Sequence, residues 1–336
     1  MDVSPDHKSL AVIIREPCTV EKKPTPAAGD EPGMPPAGGS CEGGTRSYLY
    51  TVSLANNTVR SVPDYSNSYE DYRTFFFVPP QEIVGWVDNN RIAVQLAAVP
   101  TRQLVLAEKD GSSYKGLDFP TGYATAGDAS LSPDRKTLFS AVVGDGKIDS
   151  GFWLYNLEGS NPRKLADLSQ VKWADKPAWS PNGKHISFIS PKGGSDYKHM
   201  SVSILDLDTL SLQDVTAPDT SSSAPVWSPD SSQIAFLQAD DPENARNGKY
   251  KEVDSNLFVA DANSKKPRKL TAFSKKRNRD VQWTSDGNLL LTSTALSADA
   301  SLELVSIQAK DGKAVKLSKK SSTNSPENVV LPVIFK

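Results

Sequence analysis

A short motif recurs six times along the chain, and it constrains the fold more than any other feature of the sequence. Its two clearest copies are PAWSPNGKHISFIS at 177–190 and PVWSPDSSQIAFLQ at 225–238. Each copy places a tryptophan or another apolar residue before a Ser-Pro-Asp-Gly type of turn, and a short apolar run follows. Proline presets φ, Ser and Asp bond to nearby backbone groups, and Gly takes the position with positive φ. This order predicts two strands joined by a tight turn.

The copies of this motif are evenly spaced. The residues at the tryptophan position are Val3, Trp86, Leu131, Trp179, Trp227 and Trp283. Consecutive copies lie 45 to 56 residues apart, except for the first interval of 83, which contains a Pro- and Gly-rich insert. A fixed period of this length is typical of repeat architectures.

Each repeat has room for four strands. An alternating segment such as NLFVADA (256–262) follows the apolar run, and a short polar-flanked segment such as RKLAD (163–167) comes last. A helical period is almost absent. We therefore predict an all-β fold, a single six-bladed β-propeller over 1–336 with four-stranded antiparallel blades. The blades are predicted to begin near residues 1, 84, 129, 177, 225 and 281. A β-sandwich with accidental internal similarity is the other interpretation, and it does not explain six aligned turns.

The repeats also resemble a known family. Pro-x-Trp-Ser-Pro-Asp-Gly, with a later Leu-Thr, is similar to the TolB-type, WD40-like propeller repeat, and the clearest matches are Pro177–Gly183, Pro225–Asp230 and Lys269–Thr271. The resemblance covers nearly the whole chain. It implies the blade found in periplasmic TolB-like proteins, in propeller domains of prolyl-oligopeptidase-like enzymes and in some carbohydrate-active lyases.

The tail at 327–336, ENVVLPVIFK, is predicted to close the ring. Only Met1 to Val3 precede the first turn, which is too little for a full inner strand. A propeller must join its last blade to its first or leave an open sheet edge. Since LPVIF resembles the strand before the other turns, we expect the tail to supply or extend the inner strand of blade one. The alternative is an extension that lies outside the ring.

The irregular sequence falls into a few inserts, mainly 16–45, 63–82 and 239–254, with shorter ones at 144–151 and 191–199. In a meandering blade, the connections between strands two and three leave the sheet at the same end as the blade-to-blade connections. All of this material is therefore expected on one face, where a rigid scaffold usually carries its binding groups. Long loops without any role are the alternative.

The insert at 63–82 is rich in aromatic side chains. The candidate partner-binding residues are Tyr65, Tyr69, Tyr72, Arg73 and Phe75. Aromatic residues and arginine dominate the energetics of protein interfaces, so the pattern indicates a protein partner. The alternative is that the aromatics pack beneath the loop as a small local core.

Cys18 and Cys41 are the only cysteines, and both lie in the first insert. A disulfide between them would close a Pro- and Gly-rich loop and would indicate an oxidising compartment. The first residues do not form a signal peptide, so export would require a leader that this sequence does not include. We expect a periplasmic or secreted protein.

Charge and hydropathy limit the partners. The net charge of −2 gives no general attraction for nucleic acid or anionic membrane. No apolar run approaches the roughly 20 residues of a transmembrane helix. We therefore expect a monomer with a protein partner, no nucleic acid and no transmembrane segment.

Catalytic motifs are scarce. The three histidines, His7, His185 and His199, fall on opposite sides of the predicted blades and are not expected to converge. The sequence has no Gly-x-Ser-x-Gly elbow and no phosphate-binding or Asp-x-Asp-x-Asp-Gly calcium loop. No cofactor or metal site is predicted from these patterns.

Three carboxylates remain as candidates at the channel mouth: Asp128, Asp175 and Asp280, each just before an inner strand. Scattered carboxylates of this kind could bind calcium in a propeller enzyme. The alternative is that they only cap loops.

Three functional hypotheses follow. The first is a non-catalytic TolB-like scaffold that binds a protein in the cell envelope or periplasm. The second is a propeller enzyme of the lyase or lactonase type, with a metal or carbohydrate site in the central funnel. The third is a gating module detached from a prolyl-oligopeptidase-like peptidase.

Overall fold

The computed structural model describes most of the chain as strands and tight turns. The residues it describes are 1–17, 45–62, 65–67, 76–78, 80–96, 103–117, 125–143, 151–158, 162–167, 174–191, 200–223, 225–241, 255–263, 266–273, 276–295 and 302–317.

Six sheets of four antiparallel strands follow one another in chain order. Blade one contains β1 (Asp2–Val3), β2 (Ser9–Pro17), β3 (Thr45–Ser53) and β4 (Val59–Val62). Blade two contains β7 (Pro80–Trp86), β8 (Arg91–Leu96), β9 (Gln103–Glu108) and β10 (Tyr114–Gly116). Blade three contains β11 (Thr125–Leu131), β12 (Thr137–Val143), β13 (Gly151–Asn156) and β14 (Arg163–Asp167). Blade four contains β15 (Asp175–Trp179), β16 (His185–Pro191), β17 (Met200–Asp206) and β18 (Leu212–Asp214). Blade five contains β19 (Val226–Trp227), β20 (Gln233–Ala239), β21 (Ser255–Asp261) and β22 (Pro267–Lys269). Blade six contains β23 (Lys276–Trp283), β24 (Asn288–Ala295), β25 (Leu302–Gln308) and β26 (Ala314–Lys316).

The predicted six-bladed, all-β architecture is confirmed. From β1 to β23, the first strand of each blade contacts the first strand of the next, so these six strands line the centre. One detail differs from the sequence analysis: the connection between blades one and two contains a small hairpin of β5 (Tyr65–Asn67) and β6 (Phe76–Val78). In addition, the inner strand of blade two begins at Pro80.

The blades have two distinct ends. We call the end with the short turns between strands one and two, and between strands three and four, the turn face. The opposite end, where strands two and three are connected and one blade leads to the next, is the loop face. The long inserts of the sequence connect strands at the loop face, as expected from the meander.

The turn motif is held by its own side chains. In blade five, the Ser228 hydroxyl donates to the Asp230 carboxylate at 2.6 Å and accepts the Gln233 N–H at 2.9 Å. The Ser228 hydroxyl and the Ser232 N–H lower the pKa of Asp230 because they stabilise its charged form. In blades one, three, four and six, the hydroxyl at the same position also donates to the side chain two residues later; these hydroxyls belong to Ser4, Ser132, Ser180 and Thr284.

The position with positive φ in this turn is glycine in two of the five turns where the structure shows it and another residue in the other three. The residues there are His7, Arg135, Gly183, Ser231 and Gly287. Two of the non-glycine side chains bond to a neighbouring blade, which explains why the strained backbone is tolerated. The Arg135 guanidinium donates to the Trp86 carbonyl at 2.5 Å, and the Ser231 hydroxyl accepts the Asn182 N–H at 3.0 Å.

The repeated tryptophan joins each blade to the preceding one. Its indole N–H donates to the backbone carbonyl that lies just before the tryptophan position of the previous blade. The four pairs are Trp86 to Asp2 (3.0 Å), Trp179 to Ser130 (3.1 Å), Trp227 to Ala178 (3.0 Å) and Trp283 to Val226 (3.1 Å). In blade three the position is Leu131, and Arg135 makes the link to blade two instead.

Apolar side chains fill the spaces between consecutive blades. Between blades three and four, for example, the rings of Phe139, Phe152 and Phe188 stack or tilt against each other at 5.4 and 5.3 Å. Corresponding clusters join blades one and two, two and three, four and five, and five and six. Burial between sheets, rather than within one, therefore supplies the core.

Trp227→Phe should lower the free energy of unfolding by about 1–2 kcal/mol, because the half-buried Ala178 carbonyl loses its 3.0 Å hydrogen bond from the indole and keeps only the 3.4 Å one from the Ser187 hydroxyl. Trp153→Phe is the matched control, since the Trp153 indole N–H is buried without a hydrogen-bond partner among the described residues. Denaturant titration of both variants measures the difference. Equal losses would show that ring volume, not the interblade hydrogen bond, is what matters.

Gly312→Ala should destabilise the protein more than Gly287→Ala. Both residues have φ near 77°, but a Cβ at Gly312 would collide with the Leu270 carbonyl, whereas nothing lies within 4 Å of a Cβ at Gly287. The backbone strain alone costs about 1–2 kcal/mol, and the collision should add about 1–3 kcal/mol. Thermal unfolding tests the order, and a reversed order would refute the close approach of blades five and six at this turn.

Candidate functional site

Charged residues gather where several inner strands begin, near the loop face. They are Glu82 on β7, Asp128 on β11, Asp175 and Lys176 on β15, and Asp280 on β23. Each lies at or beside an irregularity in the pairing of its inner strand with strand two. A bulge re-aims side chains and often marks a functional rim. The same local distortion thus turns charged groups toward the channel mouth in four blades.

Lys176 connects three blades at this mouth. Its ammonium lies 2.9 Å from a Glu82 carboxylate oxygen and 3.1 Å from one of Asp128. The Lys176 backbone N–H also donates to Asp128, at 3.1 Å. Blade four is therefore tied to blade three directly and to blade two across it. We call Lys176, Glu82, Asp128 and Asp175 the mouth clamp.

The backbone of Lys176 is itself unusual. Its φ is 50°, in the left-handed region that a residue with a long side chain rarely adopts. Such a conformation costs of order 1–3 kcal/mol and persists only where the surroundings determine it. Here the two hydrogen bonds to Asp128, one from the backbone and one from the ammonium, hold the residue in place.

Lys176 stabilises the charged form of Asp128, and Asp128 and Glu82 stabilise that of Lys176. Burial by itself would raise the pKa of Asp128, but the hydrogen bond with Asp175 and the charge of Lys176 outweigh it and hold the pKa below its usual value. Burial would likewise lower the pKa of Lys176, yet its hydrogen bond with Glu82 and the charge of Asp128 raise it. Asp128, only 5% exposed, is therefore ionised at neutral pH.

Asp280 behaves differently from the other two predicted mouth carboxylates. Asp128 and Asp175 are hydrogen-bonded to each other. Among the described residues, the Asp280 carboxylate bonds to neither of them. Its carboxylate accepts the Val281 N–H at 2.9 Å. The residue is open to solvent, but surrounding protein atoms remove part of its water shell, and this desolvation raises the pKa of Asp280. It is the mouth carboxylate best placed to meet an outside partner.

Sequence reasoning missed Glu82 and Lys176. Both lie three or four residues before the tryptophan position of their repeat, as Asp128, Asp175 and Asp280 do; in the repeat of Asp128 that position is Leu131. Aligning the repeats and reading charge at those positions could have found them. The contact between Lys176 and Glu82 could not have been found in this way, because it skips a blade.

Several predicted residues lie outside the described part of the chain. Tyr65 begins the hairpin strand β5, while Tyr69, Tyr72, Arg73 and Phe75 are not described. The predicted disulfide residues, Cys18 and Cys41, and the tail at 327–336 are also outside it. These assignments stay predictions.

The described histidines lie on the turn face. His185 Nε2 is 3.3 Å from the Asp206 carboxylate, and its ring stacks on Trp227 at 5.8 Å between centroids. His7 occupies a turn. Within the described residues, no group of three or more His, Cys, Asp or Glu is placed to hold a metal ion. The same residues include no helix long and apolar enough to cross a membrane.

Comparison with known proteins supports the fold more than any activity. No family model matches the chain. Dipeptidyl-peptidase 5 from Porphyromonas gingivalis is 38% identical over 72 residues, 20% of this chain and 10% of the enzyme. Dipeptidyl-peptidase 5 from Arthroderma otae is 26% identical over 200 residues, 52% of this chain and 26% of the enzyme. The matches thus span about a quarter or less of these enzymes.

Solved structures show the same architecture. A structure from Agrobacterium tumefaciens described as TolB has a TM-score of 0.51 and 17% identity, covering 81% of this chain and 88% of its own. An oligogalacturonate lyase in complex with manganese has a TM-score of 0.57 and 12% identity, covering 82% and 71%. At these identities the similarity establishes the fold, a propeller of the kind found in TolB and in peptidase propellers.

Lys176→Met should lower the free energy of unfolding by about 1–2 kcal/mol at neutral pH, because buried Asp128 loses its cation. The loss is small because the Lys176 side chain is 45% exposed, so water screens its charge. The matched control is Lys316→Met, which removes a single ion pair with Glu303 on an outer strand and should cost about 0.5 kcal/mol or less. Denaturant unfolding compares the two, and equal losses would argue against the clamp.

The pH dependence of that difference has a defined sign. Asp128 has a lowered pKa in the folded protein, so its contribution is complete above the ordinary value of 3.8 and is lost as the pH falls through the lowered pKa. Lys176 has a raised pKa, so its contribution is complete below the ordinary value of 10.5 and is lost as the pH rises through the raised one. The difference in free energy of unfolding between wild type and Lys176→Met should therefore be largest between pH 3.8 and pH 10.5. It should become smaller as the pH falls below this range.

Proposed function

We propose that this protein is a non-catalytic propeller scaffold that binds a protein partner on its loop face, in the cell envelope or periplasm. The observation that carries the proposal is the set of charged residues at the loop-face ends of the inner strands, held in place by Lys176. A rigid, charged rim gives orientation and specificity to association.

The contrast between the two faces supports this choice. On the turn face, the Ser and Asp side chains of the repeat bond to their own turn, as Ser228 and Asp230 do, so the polar groups of the repeat motif are already engaged there. On the loop face, Asp280 is exposed, and the one hydrogen bond of its carboxylate within the described residues comes from the Val281 N–H of its own strand. The aromatic insert at 63–82 also connects blades at this end.

The proposed location rests on Cys18 and Cys41. A disulfide between them needs an oxidising compartment, and it would close a Pro- and Gly-rich loop. Non-reducing mass spectrometry of protein taken from its native compartment tests this part alone. A mass lower by two hydrogens supports export, and two alkylated thiols oppose it.

A second candidate is a propeller module related to those of dipeptidyl peptidases. The observation in its favour is the likeness in sequence to the two dipeptidyl-peptidase 5 enzymes. In that case the propeller would gate or position peptide substrates for a catalytic unit. If adding the purified protein to the separate catalytic unit of a dipeptidyl peptidase changed the rate or the size selectivity of dipeptide release from chromogenic substrates, this candidate would be favoured over the scaffold.

The scaffold proposal is tested by reversing charge on each face. Asp280→Lys on the loop face should reduce partner capture by about fivefold or more, as expected when a contact worth about 1 kcal/mol is lost. Asp208→Lys makes the same charge change at an exposed residue of the turn face and should leave capture unchanged. Capture is measured by quantitative mass spectrometry of a pull-down from the source envelope fraction.

The aromatic insert gives a second arm to this test. Tyr72→Ala combined with Arg73→Ala should weaken capture without changing thermal unfolding. If this double variant unfolds, the aromatics belong to a local core. If Asp280→Lys, the double variant and Asp208→Lys all capture the partner equally well, the loop face is not the binding surface and the proposal fails.

A further inference from the structure

Charge is unevenly distributed around the outer edge of the ring, which is formed by the fourth strand of each blade and the turn that leads into it. The segment 261–269 of blade five contains four cations and one carboxylate, and 308–317 of blade six contains three cations and one carboxylate. The segment 206–214 of blade four contains three carboxylates and no cation. In blades one to three the corresponding segments have at most one cation in excess; they are 53–62, 108–116 and 156–167. A chain with a net charge of −2 therefore has a locally positive edge on two neighbouring blades.

The basic segments of blades five and six form one continuous surface. The Arg268 guanidinium of blade five donates to the Ala309 carbonyl of blade six at 2.7 Å. The turn at Gly312 of blade six lies so close to the Leu270 carbonyl of blade five that a Cβ at Gly312 would collide with it. We call the exposed cations along this junction the basic rim; they are Lys266, Arg268, Lys269, Lys310, Lys313 and Lys316.

Half of these cations are available to an outside anion. Two members of the basic rim are paired with a carboxylate of their own blade, Lys269 with Asp240 at 3.0 Å and Lys316 with Glu303 at 2.6 Å. Lys266, Lys310 and Lys313 make no ion pair within the ranges that the structure describes. Asp311 lies in the same turn as Lys310 and Lys313, and its carboxylate accepts the Lys313 backbone N–H at 3.0 Å. Three lysines thus leave an excess of positive charge facing solvent.

Aliphatic side chains are exposed beside these cations. Val315 in β26 and Leu317 just after it are 53% and 51% exposed. Every residue of β22 and β26 is exposed, and neither strand contains an aromatic residue. Surfaces that bind reversibly to lipid bilayers combine these two features, because apolar area enters the interface while cations attract anionic headgroups.

We propose that the basic rim docks the propeller by its edge onto a lipid surface rich in anionic phospholipid headgroups. A protein partner fits this surface less well, because Trp, Tyr and Arg dominate protein interfaces and lysine is depleted there. The one arginine of the basic rim, Arg268, already donates to the Ala309 carbonyl. A lysine ammonium is a compact charge that needs no planar, bidentate acceptor, so it suits phosphate groups that move within a bilayer.

The position of the basic rim also sets the orientation of the docked protein. Lys266 lies in the turn between β21 and β22, and Lys310 and Lys313 lie in the turn between β25 and β26, so all three are at the turn-face end of the edge. Blade four, beside them, presents exposed Asp208 and Asp214, which an anionic surface repels. The protein would therefore rest on blades five and six and leave the loop face open, so this inference does not depend on the proposed binding of a partner there.

Vesicle binding tests the proposal directly. The wild-type protein should sediment with vesicles of an equimolar phosphatidylglycerol and phosphatidylcholine mixture, and it should not sediment with vesicles of phosphatidylcholine alone. Each lysine close to an anionic bilayer raises the partition coefficient roughly fivefold. The triple variant Lys266→Gln, Lys310→Gln, Lys313→Gln should therefore have a partition coefficient lower by about a hundredfold.

A matched control makes the same change in net charge elsewhere. Lys8→Gln, Lys136→Gln and Lys184→Gln together remove three exposed lysines from the turns between strands one and two of blades one, three and four. This control should bind the anionic vesicles within about twofold of wild type, because screening limits the attraction to charges within about 10 Å of the bilayer at about 0.1 M salt. Thermal unfolding of both triple variants shows whether they fold as the wild type does.

Several results would overturn the proposal. One is the absence of wild-type sedimentation with the anionic vesicles. Another is an equal loss in the two triple variants, which would show attraction through total charge or through the whole turn face rather than through the basic rim. Binding that stays unchanged between about 0.1 M and about 1 M salt would contradict attraction by charge, since the screening length falls from about 10 Å to about 3 Å. Capture of the wild type by immobilised polyglutamate but not by vesicles would assign the basic rim to an acidic protein.

Discussion

The hydrogen bond from an indole N–H to the inner-strand carbonyl of the preceding blade is the interaction on which this architecture depends. A tryptophan makes this bond in blades two, four, five and six and joins each of these sheets to the inner strand of the blade before it, as Trp227 does on Ala178. The Ser and Asp of the following turn then hold the strand in register. Because one short motif performs both tasks, the chain repeats it wherever a new blade begins.

Blade three shows what happens when that interaction is missing. The side chain of Leu131 has no N–H to donate. Two charged residues make contacts to blade two instead, Arg135 of blade three at the turn face and Lys176 of blade four at the loop face. At the turn face, Arg135 bonds to the Trp86 carbonyl of blade two. At the loop face, Lys176 of blade four reaches Asp128 of blade three and Glu82 of blade two. The mouth clamp therefore lies in the arc of the ring where the indole hydrogen bond is replaced.

The blades could be predicted from the sequence because their information is local: turn residues, strand alternation and repeat spacing lie within about 48 residues of each other. The mouth clamp could not, because Lys176 and Glu82 are 94 residues apart and a bulge decides where each side chain points. Asp128 was named from its place before an inner strand, but its buried pairing with Lys176 depends on the adjacent blade. The same holds for Arg135 and Ser231 at positions with positive φ, because their bonds to a neighbouring blade form only in the assembled ring.

The contacts between blades differ around the ring, and this bears on how the loop face could work. Between blades two and four, ionic contacts cross the inner strands, and Lys176 keeps a strained backbone because Asp128 fixes it. Between blades six and one, the described residues leave apolar side chains partly exposed, including Ile14 and Val315. A partner that spans the mouth would therefore meet charged groups in fixed positions between blades two and four, and recognition by charge belongs to that part of the ring.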